Sequence, residues 1–297
     1  MKQFQYTIKD ALGVHARPAG LLVKLATLSV PDGKQEEKPV LLDERLLATP
    51  AVAIQRSQDI AARMAEDSAQ AMRLAMGLIR KFDRKSLDRV LELENNTDRY
   101  EDALGTYLVQ LSSRSLSVAD SRILNTLLYT ISDVERIADH AVNVGKAALE
   151  MEEKKIVFSQ QAQGELEVLE RAISDILGRT VEAYRSFDRE LARKVEPQEQ
   201  VVDALVREIK SRHIRRLRDG RCSVEYGFVL EDLLTAFERS ADHCSNVAVE
   251  ILQVSEGKLE AHEYLNSLKA GELQESAAFA EEYARYQARY AFPEDQK

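Results

Sequence analysis

The sequence predicts an all-α protein of two tandem antiparallel three-helix bundles, preceded by a short strand–helix fragment at the N-terminus. Three observations carry this. From about Pro50 onward apolar residues recur at helical intervals, and 297 residues hold only 12 Gly and 6 Pro, too few to punctuate a sheet protein. The stretch Glu135–Val144 returns as Glu238–Val247 with Glu, Arg, Ala, Asp, His, Asn and Val unchanged, so one structural unit is used twice. Short polar breaks divide the periodic region into two sets of three long segments, the pattern of bundles with tight connections.

Taken in order, Met1–Lys24 reads differently from the rest. Phe4, Tyr6 and Ile8 alternate with polar residues as in a strand. Asp10–Gly13 reads as a turn, and His15-Ala-Arg-Pro-Ala-Gly opens a helix with Pro18 in its first turn. Residues 25–49, with Pro31-Asp-Gly-Lys-Gln-Glu-Glu-Lys-Pro39 at their centre, have the composition of a solvated linker.

The first bundle is expected over residues 50–152. Its helices are Ala51–Phe82, Lys85–Ser113 and Asp120–Glu152, the last capped by Ser117 or Asp120. The second, over 153–256, has Ser159–Phe187, Pro197–Asp219 and Val224–Ser255. Pro197 falls near a helix start, where its missing N–H is harmless, and Gly220 closes that helix. Residues 257–297 form a tail whose Glu275–Tyr290 segment reads as a short docking helix. Its row of Phe279, Tyr283, Tyr286 and Tyr290 is a packed face.

Composition removes several function classes. A formal charge of −9 argues against a nucleic-acid partner while leaving cation binding open. Cys222 and Cys244 are too few for a disulfide framework or a CxxC zinc site, and a reducing cytoplasm is the simplest compartment. No run of 18 apolar residues spans a membrane, and no apolar core of a signal peptide follows Met1–Gln5.

The chemistry lies in carboxylates. Glu-x-x-x-Asp occurs four times, as Glu94/Asp98, Glu135/Asp139, Glu199/Asp203 and Glu238/Asp242, on the second and third helix of each unit. Residues four apart stack on one helix face, beside the apolar stripe Leu127, Ile131, Val134, Ala138 and Ala141. Antiparallel packing brings two pairs face to face, where four carboxylates repel and raise one another's pKa values. A multivalent cation removes that cost, and oxygen-only ligands favour iron(III), manganese, magnesium or calcium. Asn143 and Asn246 share the acidic face and are expected to orient the carboxylates. His140 and His243 follow the motif Asp and point about 100° away, as packing or hydrogen-bonding groups. His213 and His262 are read as surface residues. The competing reading is a solvated acidic face neutralised by Arg99, Arg136 and Arg239.

Two resemblances follow. Gly13-Val-His-Ala-Arg-Pro-Ala-Gly20 resembles the start of HPr, the phosphocarrier of the bacterial sugar phosphotransferase system. That likeness implies a phosphoryl group on His15, steadied by Arg17 and a helix N-terminus. It ends near Lys24, and a strand with one helix cannot bury a core alone. Leu93-Glu-Asn-Asn-Thr-Asp-Arg-Tyr-Glu-Asp-Ala-Leu104, with the doubled Glu-Arg-x-x-Asp-His-x-x-Asn, is similar to the PhoU family over Ala51–Ser255.

The PhoU likeness implies a doubled three-helix bundle that regulates phosphate uptake and a phosphate-sensing kinase. It also implies metal ions, iron or another transition metal, on Glu94, Asp98, Glu135 and Asp139 and on Glu199, Asp203, Glu238 and Asp242. Lys38-Pro-Val-Leu-Leu-Asp-Glu-Arg-Leu-Leu-Ala-Thr-Pro-Ala-Val-Ala53 looks like the stretch following the membrane region of bacterial sodium/phosphate cotransporters. That narrower likeness implies a detached regulatory tail.

The expected protein is therefore a non-enzymatic, cytoplasmic regulator of phosphate homeostasis, working at the inner face of the membrane. Its partner would be a phosphate transporter's membrane domain or a phosphate-sensing kinase, and a homodimer is among its candidate assemblies. Phosphocarrier activity through His15 and a metal-free helical adaptor are the alternatives. A di-iron oxygenase is disfavoured, because none of the 5 His has a Glu three positions before it.

Overall fold

The computed structural model describes residues 42–256 and 277–292. His15, Arg17, the rest of the HPr-like segment and His262 lie outside them. A 3-10 turn over Glu44–Ala48 leads into α1, Pro50–Arg80, where Pro50 occupies the first helical position. Helix α2 spans Arg84–Ser112, and its N-cap Asp83 accepts from Ser86 N at 2.9 Å. Helix α3, Val118–Lys154, is capped by Ser117, whose Oγ accepts from Asp120 N at 3.1 Å. That settles the choice between Ser117 and Asp120.

The second unit follows the same order. Helix α4 spans Gln160–Ser186 behind N-cap Ser159. A short helix, α5, intervenes at Arg189–Ala192, started by Asp188 accepting from Glu190 N and Leu191 N. Helices α6, Val195–Arg218, and α7, Val224–Glu256, complete the unit. Pro197 sits in the first turn of α6. Gly220 takes φ +68 just past its end, and its N–H donates to Leu217 O at 3.0 Å.

Helices α1, α2 and α3 pack as one bundle, and α4, α6 and α7 as the other. Between bundles α3 lies along α7, and α1 touches α4, so the apolar interior is continuous from Leu47 to Phe292. Close approach is possible because α1 buries alanines: Ala53, Ala61, Ala65, Ala69, Ala71 and Ala75. Of the two buried hydroxyls there, Ser57 donates to Ala53 O at 2.9 Å within the helix and Ser68 lies 2.8 Å from Val134 O on α3. Across the bundles, Thr130 Oγ1 and Tyr184 Oη meet at 2.8 Å.

Helix α8, Ala277–Arg289, docks on α6. Tyr286 and Tyr290 are buried, and Tyr283 packs partly against the core. Tyr290 Oη donates to Asp175 at 2.7 Å and accepts from Gln198 Nε2 at 3.1 Å. Arg179 stands over the Tyr286 ring at 4.9 Å. Among the described residues no helix is long and apolar enough to cross a membrane.

The surface reading of His213 is corrected. Its ring is buried under the start of α7, where a Cβ on Gly227 would stand 2.8 Å from Nε2. Only the absence of a side chain at Gly227 lets the two helices close over it. His213 Nδ1 lies 3.7 Å from the half-buried Cys222 thiol. Cys244 is buried in the core, and burial pushes its thiol up to about 12. The native protein is therefore expected to titrate one thiol with Ellman's reagent and two after unfolding in guanidinium. Cys222→Ser should remove the native signal, and a native signal that survives it would show Cys244 to be accessible.

Candidate metal centre

Helix α6 carries Glu199 and Asp203 one turn apart, and α7 runs antiparallel to it with Glu238 and Asp242. Three of these four converge. Glu199, Asp203 and Asp242 each place a carboxylate oxygen within 4.8 Å of the other two. Glu199 is only 8% exposed. Burial first, then Glu196, Asp203 and Asp242, push its carboxyl up to about 9. Asp203 is raised by burial, Glu238 and Asp242, with Arg207 opposing. One oxygen, Asp203 Oδ1, is buried without a hydrogen-bond partner.

The fourth expected ligand, Glu238, is held aside: Lys210 Nζ lies 3.8 Å from its carboxylate, on the way to a closer contact with Glu231 at 2.8 Å. It still acts on Asp203 through space. Arg239 Nη1 lies 3.2 Å from Asp242 on the solvent side. Lone carboxylate oxygens, one of them orphaned, around a gap a few ångströms across suit a hard cation, which would replace the proton Glu199 otherwise holds.

The first bundle repeats the arrangement more loosely. Glu135 is pushed up to about 7 by burial and then by Asp139, Glu101 and Asp98. Glu94 is raised by burial, Asp139 and Asp98. Asp139 is raised by burial and Asp98, against Arg136 and Lys146. The four expected residues thus share one field, but among the described residues only the second bundle brings three ligating atoms so close. Asn143 is exposed to solvent.

The expectation for Asn246 changes. Asn246 does not serve the carboxylates of its own face: its Nδ2 donates to Asp133 Oδ1 on α3 at 2.9 Å. His243 Nδ1 meets the same oxygen at 2.7 Å and stacks on His140 at 5.4 Å between ring centroids. Burial, then His243, hold His140 down at about 4, so the His140 ring packs in its neutral form. Sequence reasoning also missed Glu196 and Glu101. Glu196 lies one turn before Glu199 on the same face and accepts from Ser245 Oγ. Glu101 lies seven residues after Glu94. Extending the acidic face by one turn in each direction finds both.

Fold and site together define a class: a three-helix bundle used twice, with matched carboxylates on the second and third helix of each copy. The family model for the PhoU domain matches residues 61–148 and 166–251, more than half of the chain, and the chain belongs to that family. Neither Met1–Gly20 nor Lys38–Ala53 falls within those segments. The chain is 26% identical over 191 residues to phosphate-specific transport system accessory protein PhoU homolog 1 of Thermotoga maritima, covering 62% of this chain and 78% of that protein. It is 27% identical over 200 residues to the accessory protein PhoU of Escherichia coli, covering 62% and 76%. Among solved structures, the phosphate transport system regulatory protein PhoU of Streptococcus pneumoniae matches with a TM-score of 0.62 at 16% identity, over 71% of this chain and 99% of that one. PhoU of Pseudomonas aeruginosa matches with a TM-score of 0.57 at 19% identity, over 72% and 99%. These two likenesses are of fold.

Proposed function

We propose that the chain is a regulatory accessory module of phosphate transport, without chemistry of its own, that binds metal cations on its acidic helix faces. Family membership supports the regulatory part, since the relatives are named as phosphate transport accessory proteins. The observation that carries the cation part is the Glu199–Asp203–Asp242 convergence with its orphaned Asp203 oxygen. Glu94, Asp98, Glu135 and Asp139 form the second proposed site. Iron(III) or another hard cation held there would cancel the clustered charge and offer open positions to a phosphate or to a partner's carboxylate. The partner is a phosphate transporter's membrane domain or a phosphate-sensing kinase, met at the inner face of the membrane. A sodium/phosphate cotransporter is one such system, on the likeness of Lys38–Ala53.

Deleting the chain from its own host tests this. Phosphate uptake in replete medium is expected to rise and to be restored by the parent chain, but not by Asp203→Asn/Asp242→Asn at equal abundance. Unchanged uptake on deletion would overturn the regulatory reading. Full restoration by the variant would overturn the cation part.

A further inference from the structure

The α6–α7 hairpin ends in a tip whose chemistry differs from the rest of the chain. Against an overall charge of −9, residues 207–228 hold six Arg and one Lys against Glu208, Asp219 and Glu225. Arg212 and Arg216 turn inward to Glu165. Arg215, Arg218 and Arg221 stay on the outside. Ile214, Val224 and Phe228 are 56%, 66% and 69% exposed at the same end. Scattered apolar side chains are normal on a surface, so the question is whether these three share a face.

The register answers it. His213 faces Gly227 across the hairpin, and Lys210 pairs with Glu231 one turn below. In antiparallel helices successive residues rotate in opposite senses about parallel axes, so the residues after a facing pair emerge on the same flank. Ile214 and Phe228 follow His213 and Gly227, and therefore stand side by side. Arg218 lies four residues beyond Ile214 and Val224 four before Phe228, which extends the same strip to the turn at Gly220. The result is a convex apolar strip with arginines along its rim.

We propose that this tip rests on an anionic lipid bilayer, with Ile214, Val224 and Phe228 entering the headgroup layer and Arg215, Arg218 and Arg221 meeting lipid phosphates. A convex apolar strip with a basic rim matches an amphipathic, negatively charged surface. Helical rise then sets Asp242 about 20 Å above Phe228, beyond the reach of screened headgroup charge, so the acidic triad does not oppose docking. The inference deepens the membrane-side placement proposed above and rests on it, but not on cation binding.

Cosedimentation of the full chain with vesicles of phosphatidylcholine, with or without phosphatidylglycerol, tests it. Binding is expected only with phosphatidylglycerol, weakening several-fold as salt rises. Each arginine at such a surface is worth roughly fivefold, so Arg218→Glu/Arg221→Glu should cut partitioning at least tenfold. Phe228→Ser should also weaken it. Val118→Glu, at an exposed apolar position of the other hairpin, should leave it unchanged. All four sites are exposed, and matched thermal melting checks that each variant folds. Equal binding to neutral vesicles, no binding to anionic ones, or full binding by the double variant would each overturn the proposal. Binding to native membranes that disappears when their proteins are stripped, with no vesicle binding, would assign the tip to a protein instead. Such a failure leaves the regulatory reading to the uptake measurement.

Discussion

Glu165→Ala is expected to destabilise the protein by about 3–5 kcal/mol. Glu165, in α4, accepts from Arg216 Nη1 at 2.8 Å, with side chains only 2% and 6% exposed. Arg212 Nη1 lies 3.8 Å from the same oxygen. Arg216 thus depends on this buried carboxylate, whereas Arg212 has a closer partner in Glu208 at 2.8 Å. Truncating Glu165 leaves Arg216 charged and desolvated, and a buried charge without its partner costs far more than the pair contributes. The double change Glu165→Leu/Arg216→Met should recover most of the loss, because it removes the charge along with its partner. Denaturant midpoints at constant slope check both expectations. A loss below 1 kcal/mol for Glu165→Ala would mean that water reaches Arg216.

The second large effect is in pH. In metal-free protein, stability should fall as pH rises from about 5 to about 9, most steeply across the range of the raised carboxyls. Glu199 sits at about 9 when folded, against an ordinary unfolded glutamate near 4.3. Between those values the folded state binds more protons than the unfolded one, so raising pH favours unfolding. Glu135 and Glu170, both pushed to about 7 chiefly by burial, act in the same direction. At pH 8, Glu199→Gln should be more stable than the parent by on the order of 2–3 kcal/mol, with the two converging near pH 4. Urea midpoints across pH measure the difference. A gap that widens toward acid would contradict burial and mutual repulsion as its cause. A saturating cation should reverse the ranking, since it stabilises the protein that binds it better.

Much of the fold was legible because long helices repeat their apolar residues every few positions and announce their ends with Ser117, Ser159 and Gly220. Helix α5 was not: four residues are too short for periodicity, and its start depends on Phe187 at φ 50 turning the chain into the Asp188 cap. The doubled motif located the acidic faces, yet it could not say which oxygens converge. That depends on neighbours the repeat does not copy. Lys210 draws on Glu238 in the second bundle, and Glu196 and Glu101 each enlarge only one cluster. Contacts between the bundles were beyond reach for the same reason. Asp133 holds His243 and Asn246, whereas the corresponding position in the second repeat is Ala236, so His140 and Asn143 have no matching carboxylate. A repeat specifies what each unit is; the asymmetry of the pair is written in single residues at their seam.

The most direct test of the account is elemental analysis of the purified full chain beside Asp203→Asn/Asp242→Asn, each after anaerobic loading with iron and removal of free metal. Near-stoichiometric metal is expected in the parent, with the second-bundle share lost in the variant while helical content is unchanged. Metal-free parent protein, or equal metal in both, would contradict it and leave the acidic triad as a carboxyl cluster that holds no cation.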